Sequence, residues 1–199
     1  MSLYAFNPGV ALALDFIERS GPQLDLAQWL ESQGANVAHV LNVAGPIAEH
    51  DIIAYPQCMF DFAEPRRGDA IRAVVQVALG EDSEMPIDLV AWTRDRPDHI
   101  FRCLGTAQAI GIDQLVNPAS YFAGRPLRIY RSALAWLVAG CDGIVPLDCA
   151  ALRRRFDLLP FEETCRLAAE DLAHGRALRD AWAPLPTRIR ILVPCAETA

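Results

Sequence analysis

Lysine is missing altogether: all 18 basic residues of this 199-residue chain are arginine. A bias toward GC-rich codons explains this without any function, but the chemical consequence remains. Every cation is a planar fork suited to bidentate contact with carboxylate or phosphate. Long apolar runs are missing too. None reaches the roughly 18–20 residues a membrane span needs; Asp15 and Glu18 interrupt the first candidate, and Asp88 the one ending at Trp92. Met1 to Leu14 holds no Lys or Arg, so no basic region precedes the first apolar stretch as a signal peptide requires. The expectation is a soluble, cytoplasmic protein with no membrane partner.

Metal and cofactor signatures are also lacking. The six cysteines (Cys58, Cys103, Cys141, Cys149, Cys165 and Cys195) include no C-x-x-C pair, and the four histidines are scattered. In a chain of this apolar content the cysteines read as small hydrophobes with free thiols rather than as staples. There is no Walker A loop, no G-x-G-x-x-G and no G-x-S-x-G. No metal and no cofactor is expected.

What is present is a large stock of core-forming residues: 52% hydrophobic against 22% charged. That balance excludes disorder, and the length fits a single domain, residues 1–199. The Pro/Gly-rich stretch 118–126 marks the alternative, a two-lobed division. The net charge of −7 is unevenly spread: residues 1–99 hold 6 Arg against 15 acids, and residues 100–199 hold 12 Arg against 10 acids. An acidic chain makes a poor general nucleic-acid binder, but a local basic face in the second half is compatible with these counts.

Helix signals stand at 8–20, where Asn7 caps and Pro8 takes the first helical position, and at 25–33, where Asp25 and Gln28 suit a capping box. Val37–Val43 reads as a strand. Asp51–Tyr55, Cys58–Phe62, Ile87–Thr93 and His99–Leu104 are further strands, and residues 66–80 read as a helix on spacing. The clearest rhythm is β-α-β-α over Leu127–Phe156: a strand at 127–130, a helix capped by Ser132, a strand at 144–147, and a helix capped by Asp148. A long helix over 161–174, a further short helix at 176–182 and an alternating strand at 187–193 complete the chain. The expected fold is α/β, a mixed or mostly parallel sheet flanked by helices.

Four constellations compete as sites. Gly140-Cys141-Asp142-Gly143 is similar in spacing to the G-x-x-G loop of KH-type RNA binders. Asp142 would repel phosphate there, so a helix stop with a tight turn fits better. Asp148 and Cys149 follow a strand and open a helix, where the helix dipole favours a thiolate; they are the candidate catalytic pair, with His99 or His174 as a base brought in by folding. The arginines Arg128, Arg131, Arg153, Arg154, Arg188 and Arg190, with Arg125 and Arg155 beside them, are the candidate anion-binding set. The acids Asp51, Asp61, Asp88 and Glu64 flank strands but lack the D-x-E spacing of a metal-dependent nuclease. Two functions follow. One is a non-catalytic accessory or binding protein whose second-half arginines contact an anionic partner: a phosphate ligand, a nucleic acid, an acidic protein surface or the acidic half of another copy. The other is a small enzyme with a pocket beyond the strand ending at Leu147.

Overall fold

The computed structural model describes residues 7–64, 68–159, 165–187 and 189–194. It has the expected mixed α/β content, with a five-stranded closed barrel and a separate three-stranded sheet.

The first half opens with three helices. Asn7 accepts from the Gly9 and Val10 amides at 2.9 and 3.4 Å and starts α1 (Pro8–Arg19). Helix α2 (Leu24–Ser32) begins one residue earlier than expected and has no side-chain cap; Asp25 sits inside its first turn, where it complements the dipole. Residues 37–43 form α3 (Val37–Val43), not a strand. Asn36 caps it by accepting from the His39 amide at 3.1 Å. Val37, Val40 and Ala44 then fall three and four residues apart, on one helical face, and pack into a common core.

The barrel strands are β1 (Ile47–Tyr55), β2 (Met59–Phe62), β3 (Ile71–Leu79), β4 (Pro86–Thr93) and β5 (Arg96–Arg102), in spatial order β1-β2-β5-β4-β3. All neighbours are antiparallel except β2 and β5, which meet in parallel at Met59 and Arg102. The helix expected over 66–80 is therefore wrong where the chain is described: 71–79 is a strand paired on both edges. Its residues Ala73, Val75 and Val77 join one apolar cluster, while Val74 and Ala78 join another. Burial on both faces makes the run apolar throughout and hides the period of two.

The second half begins with β6 (Ala109–Ile110), α4 (Ile112–Val116) and a 3-10 turn over Pro118–Gly124, then β7 (Leu127–Arg128) and α5 (Ala133–Val138), which Ser132 caps. Next come β8 (Val145–Pro146), paired antiparallel with β6, and α6 (Cys149–Asp157), capped by Asp148. The long helix expected over 161–174 is not formed. Cys165–Ala168 is a strand, β9, and the helix α7 runs over Leu172–Ala181 with Asp171 as its cap. Residues 161–164 lie outside the described residues. Gly175, expected as a helix stop, lies inside α7, where an added Cβ would fall 2.3 Å from Val193 Cγ1. Cys165 and Leu167 are buried around exposed Arg166, the alternation of a half-covered strand. The last strand, β10 (Ile189–Leu192), completes a parallel sheet in the order β10-β9-β7.

The described residues form three apolar clusters. Helices α2, α3 and α5 share one with the barrel, joining residues from either side of 118–126. Helix α1 covers the barrel through Ala13 and Phe16. Helices α6 and α7 cover one face of the three-stranded sheet through Leu152, Phe156 and Leu178. Trp92 and Trp136 are both buried. No helix among the described residues is long and apolar enough to cross a membrane.

Candidate functional site

The three-stranded sheet has two unlike faces. Ile189 and Ile191, Cys165 and Leu167, and Leu127 point toward α6 and α7. The alternate residues point the other way. Arg190 stands beside Arg166 in the parallel register, and Arg128 stands beside Ala168. Arg128, Arg166 and Arg190 are all exposed, and Leu192 on the same face is 38% exposed. Neighbouring strands lie about 4.8 Å apart, so the guanidinium stems of Arg166 and Arg190 rise side by side. Like charges at that spacing oppose each other unless an anion lies between them. Neither makes an ion pair with a described residue. The Tyr130 phenol and Asp142 lie near Arg128 and hold its guanidinium further toward the charged form.

Other candidate arginines are engaged elsewhere. Arg131 grips Asp171 with two bonds of 2.7 Å and reaches Glu170 at 3.3 Å. That guanidinium holds the Asp171 carboxyl well below the usual carboxylate range. The same carboxylate caps α7 through the His174 amide at 2.8 Å. Arg131, in the connection between β7 and α5, thus clasps the turn between β9 and α7. Arg153 donates to the Pro184 carbonyl at 2.6 Å and pairs with Asp157 at 2.9 Å. Arg125 pairs with Asp142, and Arg155 with Glu81. Arg154 is exposed, but α6 packs on the covered face of the sheet, opposite Arg128 and Arg190. Arg188 lies outside the described residues. Arg166 is absent from the candidate set because a helical reading of its segment hides the alternation around it.

Asp148 and Cys149 take up structural positions. Asp148 accepts from the Ala151 amide at 2.8 Å. Burial, with the Asp148 charge beside it, pushes the Cys149 thiol up, against the direction a helix N-terminus would give. Neither histidine proposed as a partner contacts it. His99 meets Cys58, and His174 accepts from the Glu170 amide at 3.3 Å. A cavity of about 190 Å³ nearby is lined by Glu81, Ile87, Thr106, Gln108, Ile112 and Arg155, without Asp148 or Cys149.

The glycine turn is locked internally. Gln114 donates to the Cys141 carbonyl at 2.6 Å and accepts from the Gly143 amide at 2.7 Å, while Trp136 Nε1 donates to the Gly143 carbonyl at 2.8 Å. An added Cβ on Gly143 would fall 2.4 Å from the Arg128 carbonyl at a φ of +115°. The acids are dispersed. Asp88 is fully buried and accepts from the amides of Leu89, Leu104, Thr106 and Ala107 at 2.7–3.0 Å, pinning the loop after β5. Asp51 meets Arg72 at 3.4 Å on the surface. Among the described residues no three His, Cys, Asp or Glu side chains gather in a metal-holding group. Comparison with protein-family models, curated proteins and solved structures yields no match.

Proposed function

We propose that this protein is a non-catalytic binding module that presents Arg128, Arg166 and Arg190 to an acidic protein surface. The observation that carries this reading is the face of the three-stranded sheet turned away from α6 and α7, on which Arg128, Arg166 and Arg190 are exposed. Parallel sheets are ordinarily covered on both faces. Here helices cover one, and the other carries exposed arginines beside exposed Leu192. Arginine mixed with apolar side chains is the composition of a protein interface core. The rest of the molecule argues against an extended nucleic acid as the partner. A net charge of −7 repels a phosphate chain beyond the sheet itself, whereas a compact acidic patch meets only the local field.

The test is fluorescence anisotropy with a labelled oligoglutamate peptide and a single-stranded oligonucleotide of matching charge. Both are titrated at about 50 mM and about 500 mM salt, across which the screening length falls severalfold. The expected result is oligoglutamate binding at low salt that weakens at high salt and is lost in the Arg166→Ala/Arg190→Ala variant. Preferential binding of the oligonucleotide would shift the reading to nucleic acid. Binding of neither probe at low salt would contradict it.

A further inference from the structure

Cys58 is the exposed cysteine among those described; Cys103 and Cys149 are half-buried, and Cys141 and Cys165 are buried. Burial pushes the Cys103 and Cys141 thiols up to about 12. Cys58 ends the 3-10 turn Pro56–Cys58 that joins β1 to β2. Gln57 and Cys58 both lie in the left-handed region, at φ of 64° and 56°, which side-chain-bearing residues seldom occupy. The turn brings the thiol beside β5. There the Cys58 sulfur stands 3.8 Å from His99 Nε2, within reach of a thiol–imidazole hydrogen bond. The His99 ring lies on Phe101, two residues along the same strand, with centroids 4.6 Å apart and planes inclined by 32°. Side chains two apart share a strand face, so Phe101 fixes the plane in which the imidazole meets the sulfur. This is the pairing of a sulfur nucleophile, a base within reach and a group that orients the base.

We propose that Cys58 and His99 form a reactive thiol site that exchanges with small disulfides. In the tautomer protonated at Nδ1, His99 takes the Cys58 thiol proton at Nε2. The thiolate sulfur attacks one sulfur of the incoming disulfide. A new bond forms between them as the substrate's sulfur–sulfur bond breaks. The departing sulfur leaves with the bonding pair and recovers the proton from His99 as a free thiol. Cys58 is thereby oxidised to the mixed disulfide, and half of the substrate is reduced to a thiol. The exposed position of Cys58 admits a bulky disulfide, which the half-buried and buried thiols do not. This site is independent of the arginine face.

The probe is dithiobis(nitrobenzoate), an aromatic disulfide whose released thiol is coloured, added to the folded full-length protein. In a Cys195→Ser background, since residue 195 lies outside the described residues, one fast equivalent of chromophore is expected, and Cys58→Ser should remove it. His99→Ala should slow that phase about tenfold or more, as loss of a proton acceptor does. Added imidazole should restore much of the rate in His99→Ala without accelerating the wild-type protein comparably. A fast phase that survives in Cys58→Ser would overturn the proposal. So would a wild-type rate in His99→Ala, or a slowed variant that imidazole does not rescue, since His99 would then act only through packing.

Discussion

At the scale of single residues, buried polar groups follow their hydrogen-bond partners rather than their sequence neighbours. Asp88 looks like a strand-edge acid in sequence, yet it is a fully buried acceptor for four backbone amides. His174 shows how such an environment translates into pH dependence. It is 6% exposed and accepts from the Glu170 amide at Nδ1, an arrangement that favours the neutral ring. Burial and the nearby Arg131 lower its pKa from the ordinary histidine value, more than Glu170 and Asp171 raise it. The sign follows directly. As pH falls below about 6.5, the unfolded chain takes up a proton that the folded protein still refuses. Folding stability is therefore lost from about pH 6.5 downward until the folded ring itself titrates. Burial lowers the His50 pKa as well, with Arg72 and Arg19 adding to it, so part of the slope belongs there. Urea midpoints between pH 7.5 and 5 should fall for the wild-type protein and fall less steeply for His174→Gln. Equal slopes would contradict the assignment.

At the scale of elements, legibility depended on how many faces an element buries. Helix α1 is readable from Asn7, Pro8 and its apolar stripe, and β4 from a run that is apolar apart from Asp88 up to Trp92. The Ser132 and Asp148 caps identified α5 and α6, and their amide contacts of 3.1 and 2.8 Å match that reading. Three segments misled. In 71–79 both faces are buried, so the contiguous apolar residues mimic helical spacing. In 37–43 valine content suggests a strand, but the Asn36 cap and one-sided burial decide for helix. In 165–168 the strand has only four residues, too few for alternation to stand out against the helix that follows. The same gap concealed Arg166, while Arg128 and Arg190 were visible; that Arg131 serves as a clasp depends on Asp171, 40 residues away.

Packing between elements also sets the direction of one substitution. An alanine is ordinarily worth up to about 1 kcal/mol over glycine inside a helix. At Gly9 in α1, however, an added Cβ would fall 2.4 Å from the Pro86 carbonyl oxygen and 2.6 Å from Ile87 Cα, both backbone atoms of β4. Helix and strand must separate to admit it, and overpacking of this kind costs about 1–3 kcal/mol. Gly9→Ala should therefore lower stability by about 1–3 kcal/mol in urea unfolding. A stabilised variant would show that α1 does not press on the start of β4.

At the scale of the molecule, the charge division of the sequence is partly cancelled by folding. Glu81 of the acidic half pairs with Arg155 of the basic half, and Arg125, Arg131 and Arg153 meet acids within their own half. What stands out among the described residues is a smaller feature than the sequence suggests: Arg128, Arg166 and Arg190 on the side of one short parallel sheet turned away from α6 and α7. Position therefore matters more to the binding account than total charge. Rim charges on a protein act mainly through association rate and specificity, so removing any two arginines would have some effect at low salt. The account requires the effect to be local. The decisive measurement compares two double variants of equal charge change, Arg166→Ala/Arg190→Ala on the sheet and Arg153→Ala/Arg154→Ala on α6, by anisotropy with oligoglutamate at about 150 mM salt, where screening reaches across about 8 Å. Loss of binding in the sheet variant with near wild-type affinity in the helix variant is the predicted result. Equal weakening in both would mean that binding follows net charge alone and would contradict an arginine face on the sheet.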